Sequence, residues 1–248
     1  TSHRLKDSGL HPNEPVLVPV GGQAEDIAAI LAVIGAGGTA VPVHRKAHAD
    51  TRVYLDAATR ARFAITAPDV EKRSPPSIVT ISQEPPPKRP LLEGAAMITF
   101  TSGSTGKPKG VVLARDRMSA KLAAIREAIG MDGTPDAAVP LQLQFSFGQW
   151  ATFVQLMVRG EQSDRDLTIL TGGEAVSSDL SRAVFRRWPN AAINGIYGLT
   201  ETGTCDLFRC DRAAHPLDDS LGHPAKQIEV MTDPVTSELL IRSPYAML

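Results

Sequence analysis

The stretch "TFTSGSTGKPKG", residues 99–110, decides how this sequence reads. Three glycines, two lysines and five hydroxyl side chains crowd into it. The apolar run "AAMITF" (95–100) leads straight into the segment and is expected to be a strand. A Gly/Ser/Thr loop after a strand can turn its backbone N–H groups and hydroxyls onto one anion, and phosphate oxygens suit such a cradle. The lysines add point charges. A Walker-type phosphate loop is excluded, because it needs four residues between its glycines and then Lys followed by Ser or Thr. Here two residues separate Gly103 from Gly106, and Pro108 follows Lys107. The plain alternative is a polar linker.

Outward from the loop, the pattern alternates between strand and helix. "PVLVPVG" (15–21) reads as a buried strand and "TAVPVH" (39–44) as another. Between them Ile27, Ile30, Leu31 and Ile34 recur at helical spacing, and the glycines at 35–38 end the helix. That strand–helix–strand unit predicts a parallel pair. A further helix over 52–61 leads into "RFAIT" (62–66). The proline clusters between Lys72 and Pro90 read as a connector between two halves, since proline fixes φ and removes a ladder donor. A split near 72–92 is therefore expected.

After the loop, Met118, Leu122, Ile125 and Ile129 mark one helical face, and "AAVPLQL" reads as a strand. "QWATFVQLMVRG" reads as a helix and "LTIL" (167–170) as a strand. "SSDLSRAVFRRW" reads as a helix capped by Ser177 or Ser178, and "AAINGIYG" as a strand. "QIEVM" and "ELLIRS" read as strands with no helix between them. The alternation predicts an α/β fold with a small β element at the C-terminal end.

Composition narrows the function. Of 248 residues 42% are hydrophobic and 21% charged, enough for a sizeable core. The net charge of -1 leaves no basic surface, so no nucleic-acid partner is expected. No apolar run approaches a membrane span. Nothing resembles a secretion leader, and a cytoplasmic location is expected. Cys205 and Cys210 fit no zinc or disulfide spacing and read as reduced thiols. The six histidines read as structural or surface residues.

Several strings together carry a family resemblance. "TFTSGSTGKPKGVV" resembles the phosphate loop of the adenylate-forming superfamily of acyl-CoA synthetases, luciferases and peptide-synthetase adenylation domains. "YGLTETG" (197–203) resembles that family's Tyr-Gly-x-Thr-Glu motif, and "TGGEAV" (171–176) its adenine-lining turn. The order agrees from about Val16 to Met247. The resemblance implies the N-terminal core of the adenylate-forming fold. That core has two mostly parallel sheets with helices on their faces, and the C-terminal lid domain is expected to be absent.

It also implies the chemistry. A carboxylate attacks the α-phosphate of ATP to give an acyl-adenylate, and a thiol then takes the acyl group. Several like charges must be brought together, so donors and a cation must screen them. By resemblance, Thr101, Ser102, Gly103, Ser104, Thr105, Gly106 and Lys109 surround the β- and γ-phosphates, and Lys107 faces either the same charge or solvent. Thr200 contacts the α-phosphate, and Glu201 supplies a hard oxygen ligand to Mg²⁺. Thr200, Glu201 and Lys109 are the candidate catalytic residues. Gly173, Glu174 and Ala175 wall the adenine, Tyr197 stacks on it, and Gly198 belongs to the same nucleotide contact. The acceptor is coenzyme A or the phosphopantetheine of an acyl carrier protein.

"FSFGQW" (145–150) aligns with the start of the acyl pocket. Amino-acid-activating members place an Asp one residue after the aromatic, where this chain has Ser146. An unpaired buried ammonium would be costly. Phe145, Ser146, Phe147, Gly148 and Trp150 therefore point to an apolar acyl or aryl acid. Asn194 lies one position away from the family's adenine-contacting Asn and is left out of the site. The connections at 160–166 and 231–238 are shorter than the resemblance implies, which points to segments missing there. Three readings stay open: an acyl- or aryl-CoA ligase, placed first; an acyl-AMP ligase that loads a carrier protein; and a degenerate nucleotide-binding protein without catalysis.

Overall fold

A computed structural model describes residues 2–66, 76–84, 87–101, 108–128, 142–147, 167–172, 177–213 and 220–248. The chain forms two compact units, residues 1–118 with 247–248, and residues 119–246.

The first unit holds α1 (Ser2–Asp7), β1 (Pro15–Val20), α2 (Ala24–Gly35), β2 (Thr39–His44), α3 (Ala49–Thr59), β3 (Phe63–Ile65), β4 (Ile78–Thr80), β5 (Ala95–Thr101) and β6 (Lys109–Ala114). These strands form one sheet in the order β4-β3-β1-β2-β5-β6. The central pairs β3/β1, β1/β2 and β2/β5 are parallel, as the strand–helix–strand pattern requires, while β4 and β6 join at the edges antiparallel. Val16, Val18, Val33, Ala40 and Phe63 are fully or nearly fully buried around β1. Each large apolar side chain buried there contributes roughly 1.5–3 kcal/mol.

The helical face of α2 differs from the one its isoleucines suggest. Ile27 and Leu31 are 63% and 61% exposed, whereas Val33 is buried with Ile30 and Ile34 packed against the same cluster. The cause is Asp26. Its carboxylate accepts from the Gly21 N–H at 2.6 Å and the Gln23 N–H at 3.0 Å and pairs with Arg45. These contacts tie the third residue of α2 back to the N-cap amide and to the loop before it, which holds Asp26 inward and favours this rotation.

The Pro-rich stretch 72–92, read as the connector between halves, lies inside the first unit. The strands after it, β5 and β6, complete the same sheet as β1 and β2. The division falls after Met118 instead, within α4 (Arg115–Ala128). On α4 the buried residues are Lys121 and Ala124, and Leu122 of the expected apolar face is 59% exposed.

The second unit holds β7 (Gln142–Phe147), β8 (Leu167–Gly172), α5 (Ser178–Arg187), β9 (Ala192–Tyr197), β10 (Leu207–Arg212), β11 (His223–Pro224), β12 (Glu229–Thr232) and β13 (Leu239–Arg242). Its main sheet runs β11-β10-β9-β8-β7, parallel from β7 to β9 and antiparallel beyond. Ser177 caps α5 by accepting from the Leu180 N–H. Val184, Phe185 and Trp188 of this stretch pack on Ile169 and Ile193. β12 and β13 form the expected antiparallel β element, closed by a turn in which Ser237 takes φ 59°.

Acid should act on Asp26. Burial raises its carboxyl pKa, but the Gln23 and Gly21 amides and Arg45 outweigh that and hold it below the ordinary value of 3.8. A folded pKa below the unfolded one adds stability that is fully present above the unfolded value and lost as pH falls through the folded one. Asp26→Asn should therefore lower the denaturation midpoint at neutral pH. The gap to wild type should close below about pH 4 in a series of urea melts.

Candidate functional site

The quoted segment closes a hairpin. β5 and β6 pair antiparallel with Thr101 opposite Lys109, so residues 102–108 connect the ends of one ladder. Thr101 is half-buried at the end of β5, and Lys109 is exposed at the start of β6. The base of the connection is anchored from α3. Tyr54 donates its hydroxyl to the Pro108 carbonyl at 2.8 Å and sets its ring edge-on to Phe100. Gly110 fits beneath Phe100, where a Cβ would come within 3.3 Å of the ring. Ser102, Gly103, Ser104, Thr105, Gly106 and Lys107 lie outside the described residues, as do Gly173, Glu174, Ala175, Gly148 and Trp150. Phe145, Ser146 and Phe147 lie on β7, opposite Leu170, Thr171 and Gly172 of β8.

The second motif is described in full. β9 delivers Tyr197 to the end of the sheet, opposite Leu207 of β10. Between them the chain makes a tight turn, one 3₁₀ turn over Thr200–Thr202 followed by Gly203, Thr204 and Cys205, all at positive φ. The Asp206 N–H closes the turn on the Tyr197 carbonyl at 2.7 Å, and the Thr204 N–H reaches the Leu199 carbonyl at 2.8 Å. Gly198 is forced by close approach, since a Cβ there would lie 2.3 Å from the Cys205 nitrogen. Burial pushes the Cys205 thiol up, against the Thr204 hydroxyl and the Lys121 charge.

What organises this turn is a pair the sequence reading missed. Asp206 is fully buried, and Lys121 of α4 donates to its Oδ1 at 2.7 Å with only 3% of its side chain exposed. Asp206 Oδ2 accepts from the Leu199 N–H at 3.3 Å and from the Thr202 hydroxyl. One carboxylate thus ties both ends of the 3₁₀ turn to α4. Lys121 also lies 5.1 Å from the ring centre of Tyr245, a cation–π contact. A buried ion pair is tolerated when further hydrogen bonds support its carboxylate, and here the Leu199 N–H and the Thr202 hydroxyl supply two.

Thr200 and Glu201 begin the 3₁₀ turn, both half-buried. Among the described residues, no hydrogen bond or ion pair occupies the Thr200 hydroxyl or the Glu201 carboxylate. The turn itself is held by Asp206 and by its backbone hydrogen bonds. A single carboxylate suits Mg²⁺, which binds through one or two carboxylates and keeps its other positions for water and phosphate oxygens. Among the described residues, no three acidic, His or Cys groups cluster as a metal cage would need.

The fold is that of the N-terminal core of the adenylate-forming enzymes. Residues 1–163 match the family described as AMP-binding enzyme, and the chain belongs to that family. Malpinin synthetase of Mortierella alpina is 26% identical over 260 residues, covering 83% of this chain and 3% of its own length. Nonribosomal peptide synthetase cm3A of Cordyceps militaris is 30% identical over 131 residues, 48% of this chain and 3% of its own. This chain therefore spans a few hundredths of the length of those relatives. The N-terminal subdomain of Klebsiella oxytoca NpsA in complex with 3-hydroxyanthranilyl-AMSN shares the fold at TM-score 0.69 and 20% identity, over all of this chain and 78% of that one. No described helix is long and apolar enough to cross a membrane.

The steric reading of the turn is directly testable. Gly198→Ala should destabilise the protein by about 1–3 kcal/mol, the usual cost of overpacking. Gly195→Ala, where a Cβ would meet nothing closer than 3.9 Å, should cost far less. Thermal melts of the two variants compare them on the same sheet.

Proposed function

We propose that the chain is the nucleotide- and acid-binding core of an enzyme that activates a carboxylic acid with ATP as an acyl-adenylate. The enzyme then passes the acyl group to the phosphopantetheine thiol of a carrier protein. The observation that carries this reading is the Tyr197–Asp206 turn, whose backbone is held by hydrogen bonds while no described residue engages the Thr200 hydroxyl or the Glu201 carboxylate. A reaction between a carboxylate and a triphosphate needs such groups preset, because reorganising them during the reaction would forfeit their stabilisation. Thr101, Lys109 and the connection between them supply donors for the β- and γ-phosphates. Thr200 donates to the α-phosphate, and Tyr197 stacks on the adenine. Glu201 holds Mg²⁺, which screens the charge that the attacking carboxylate must approach.

The relatives shift the choice of acceptor. A synthetase named for nonribosomal peptides supports a carrier-borne thiol over coenzyme A, the acceptor placed first on sequence alone. Coenzyme A is the second reading, and the two separate on which thiol product forms. For the acid, Ser146 in place of a carboxylate and the neighbouring Phe145, Phe147 and Trp150 support an apolar or aryl substrate. The aryl adenylate analogue carried by the NpsA subdomain agrees in class.

The test is ATP–pyrophosphate exchange by the full gene product with Mg²⁺ and a panel of aryl, fatty and amino acids. Exchange that depends on an aryl or fatty acid is expected, and Glu201→Gln should lower it by roughly a hundredfold or more. Exchange driven by amino acids would overturn the reading of Ser146. ATP binding without exchange would favour the non-catalytic alternative.

A further inference from the structure

The geometry points to Lys121 and Asp206 as positioning residues that preset the turn bearing Thr200 and Glu201. This rests on the function proposed for that turn. Three facts carry the inference. First, the Asp206 carboxylate accepts from both the start and the end of the 3₁₀ turn, through the Leu199 N–H and the Thr202 hydroxyl, which itself lies 3.0 Å from the Leu199 carbonyl. Second, its backbone is locked independently. The Asp206 N–H donates to Tyr197 O at 2.7 Å, and its carbonyl accepts from the Ala225 N–H at 2.8 Å. The carboxylate therefore hangs from a fixed point of the sheet. Third, Lys121 comes from α4, 85 residues away in the chain, and its buried ammonium leaves Asp206 Oδ1 no freedom to rotate away.

A stability role alone would be met by an apolar pair of the same volume, which is often as stable as a buried ion pair. An apolar pair could not accept from Leu199 and Thr202. The carboxylate supplies acceptors where the turn has donors, and the lysine holds that carboxylate in place. Glu201 follows Thr200 directly and precedes Thr202, so the clamp brackets both ligand-facing residues. Misplacing Glu201 should weaken Mg²⁺ engagement. Recognition of the acid, assigned to other residues, should be unaffected.

The experiment compares the full gene product with Asp206→Asn and with the charge-neutral pair Lys121→Met/Asp206→Asn. The pair guards against simple unfolding, because it leaves no buried charge without a partner. Two readouts are taken. In amide hydrogen exchange without ligand, the Leu199–Cys205 segment should exchange about tenfold faster in both variants, the size of one lost charge-assisted hydrogen bond, while β8 stays protected. In acid-dependent ATP–pyrophosphate exchange, the Mg²⁺ concentration for half-maximal rate should rise by about tenfold while the KM for the acid stays within about twofold. Unchanged protection of the turn in a folded variant would overturn the clamp. Equal loss across Mg²⁺ and acid dependence would make the pair merely structural and overturn the positioning role. Wild-type protein with no exchange activity would instead contradict the proposed function, and the hydrogen-exchange arm would then decide the clamp alone.

Discussion

A buried carboxylate with four obligations organises the second unit. Asp206 must satisfy a lysine, a backbone amide and a hydroxyl with its side chain while its own backbone closes β9 onto β10. Burying an ion pair is expensive, and the cost is offset only when geometry and extra hydrogen bonds are both good. Here they are, and several features follow. Lys121 sets which face of α4 is buried, with Ala124 alongside it and Leu122 left outside. Gly198 must be a glycine because the closed turn presses Cys205 against it. Tyr245 lies across the lysine and brings the β12–β13 end of the unit against α4 through a cluster with Ala124, Ala225 and Ile228.

The first unit solves its own problem by pairing strands. β5 and β6 bring Thr101 and Lys109 face to face, and Tyr54 ties down Pro108, so the hydroxyl- and glycine-rich connection starts and ends on rigid backbone. An anion cradle of backbone N–H groups works best when its ends cannot drift, since each donor must converge on the same oxygens. In both motifs the described backbone on either side is anchored, by the β5/β6 ladder and Tyr54 in one and by Asp206 in the other.

Much of this was legible in the sequence. The strands at 15–20, 39–44, 95–101 and 192–197 are short apolar runs bounded by breakers, and they pair as the alternation implies. The Ser177 cap was legible because it is a local interaction. Three things were hidden, each for a physical reason. The face of α2 is set by Asp26 and Arg45, and periodicity counts isoleucines without weighing a buried carboxylate. β10 reads "LFRCDR", and its charges disguise a strand whose Arg209 and Asp211 pair with each other. The pairing of Lys121 with Asp206 left no sign in the sequence, because nothing local to either residue marks a partner 85 positions away. The division between the units was also misplaced. Prolines mark irregular backbone, but sheet pairing decides which segments belong together.

A double-mutant cycle on Lys121 and Asp206, read by chemical denaturation, tests the central claim most directly. The cycle uses Lys121→Met, Asp206→Asn and the double variant, so that desolvation and packing changes common to the single variants cancel. A coupling energy of about 1.5–3 kcal/mol is predicted, with the double variant destabilised by that much less than the two single losses added together. A coupling near zero would contradict the account, because the turn would then be held by its backbone alone and the buried pair would be incidental to it.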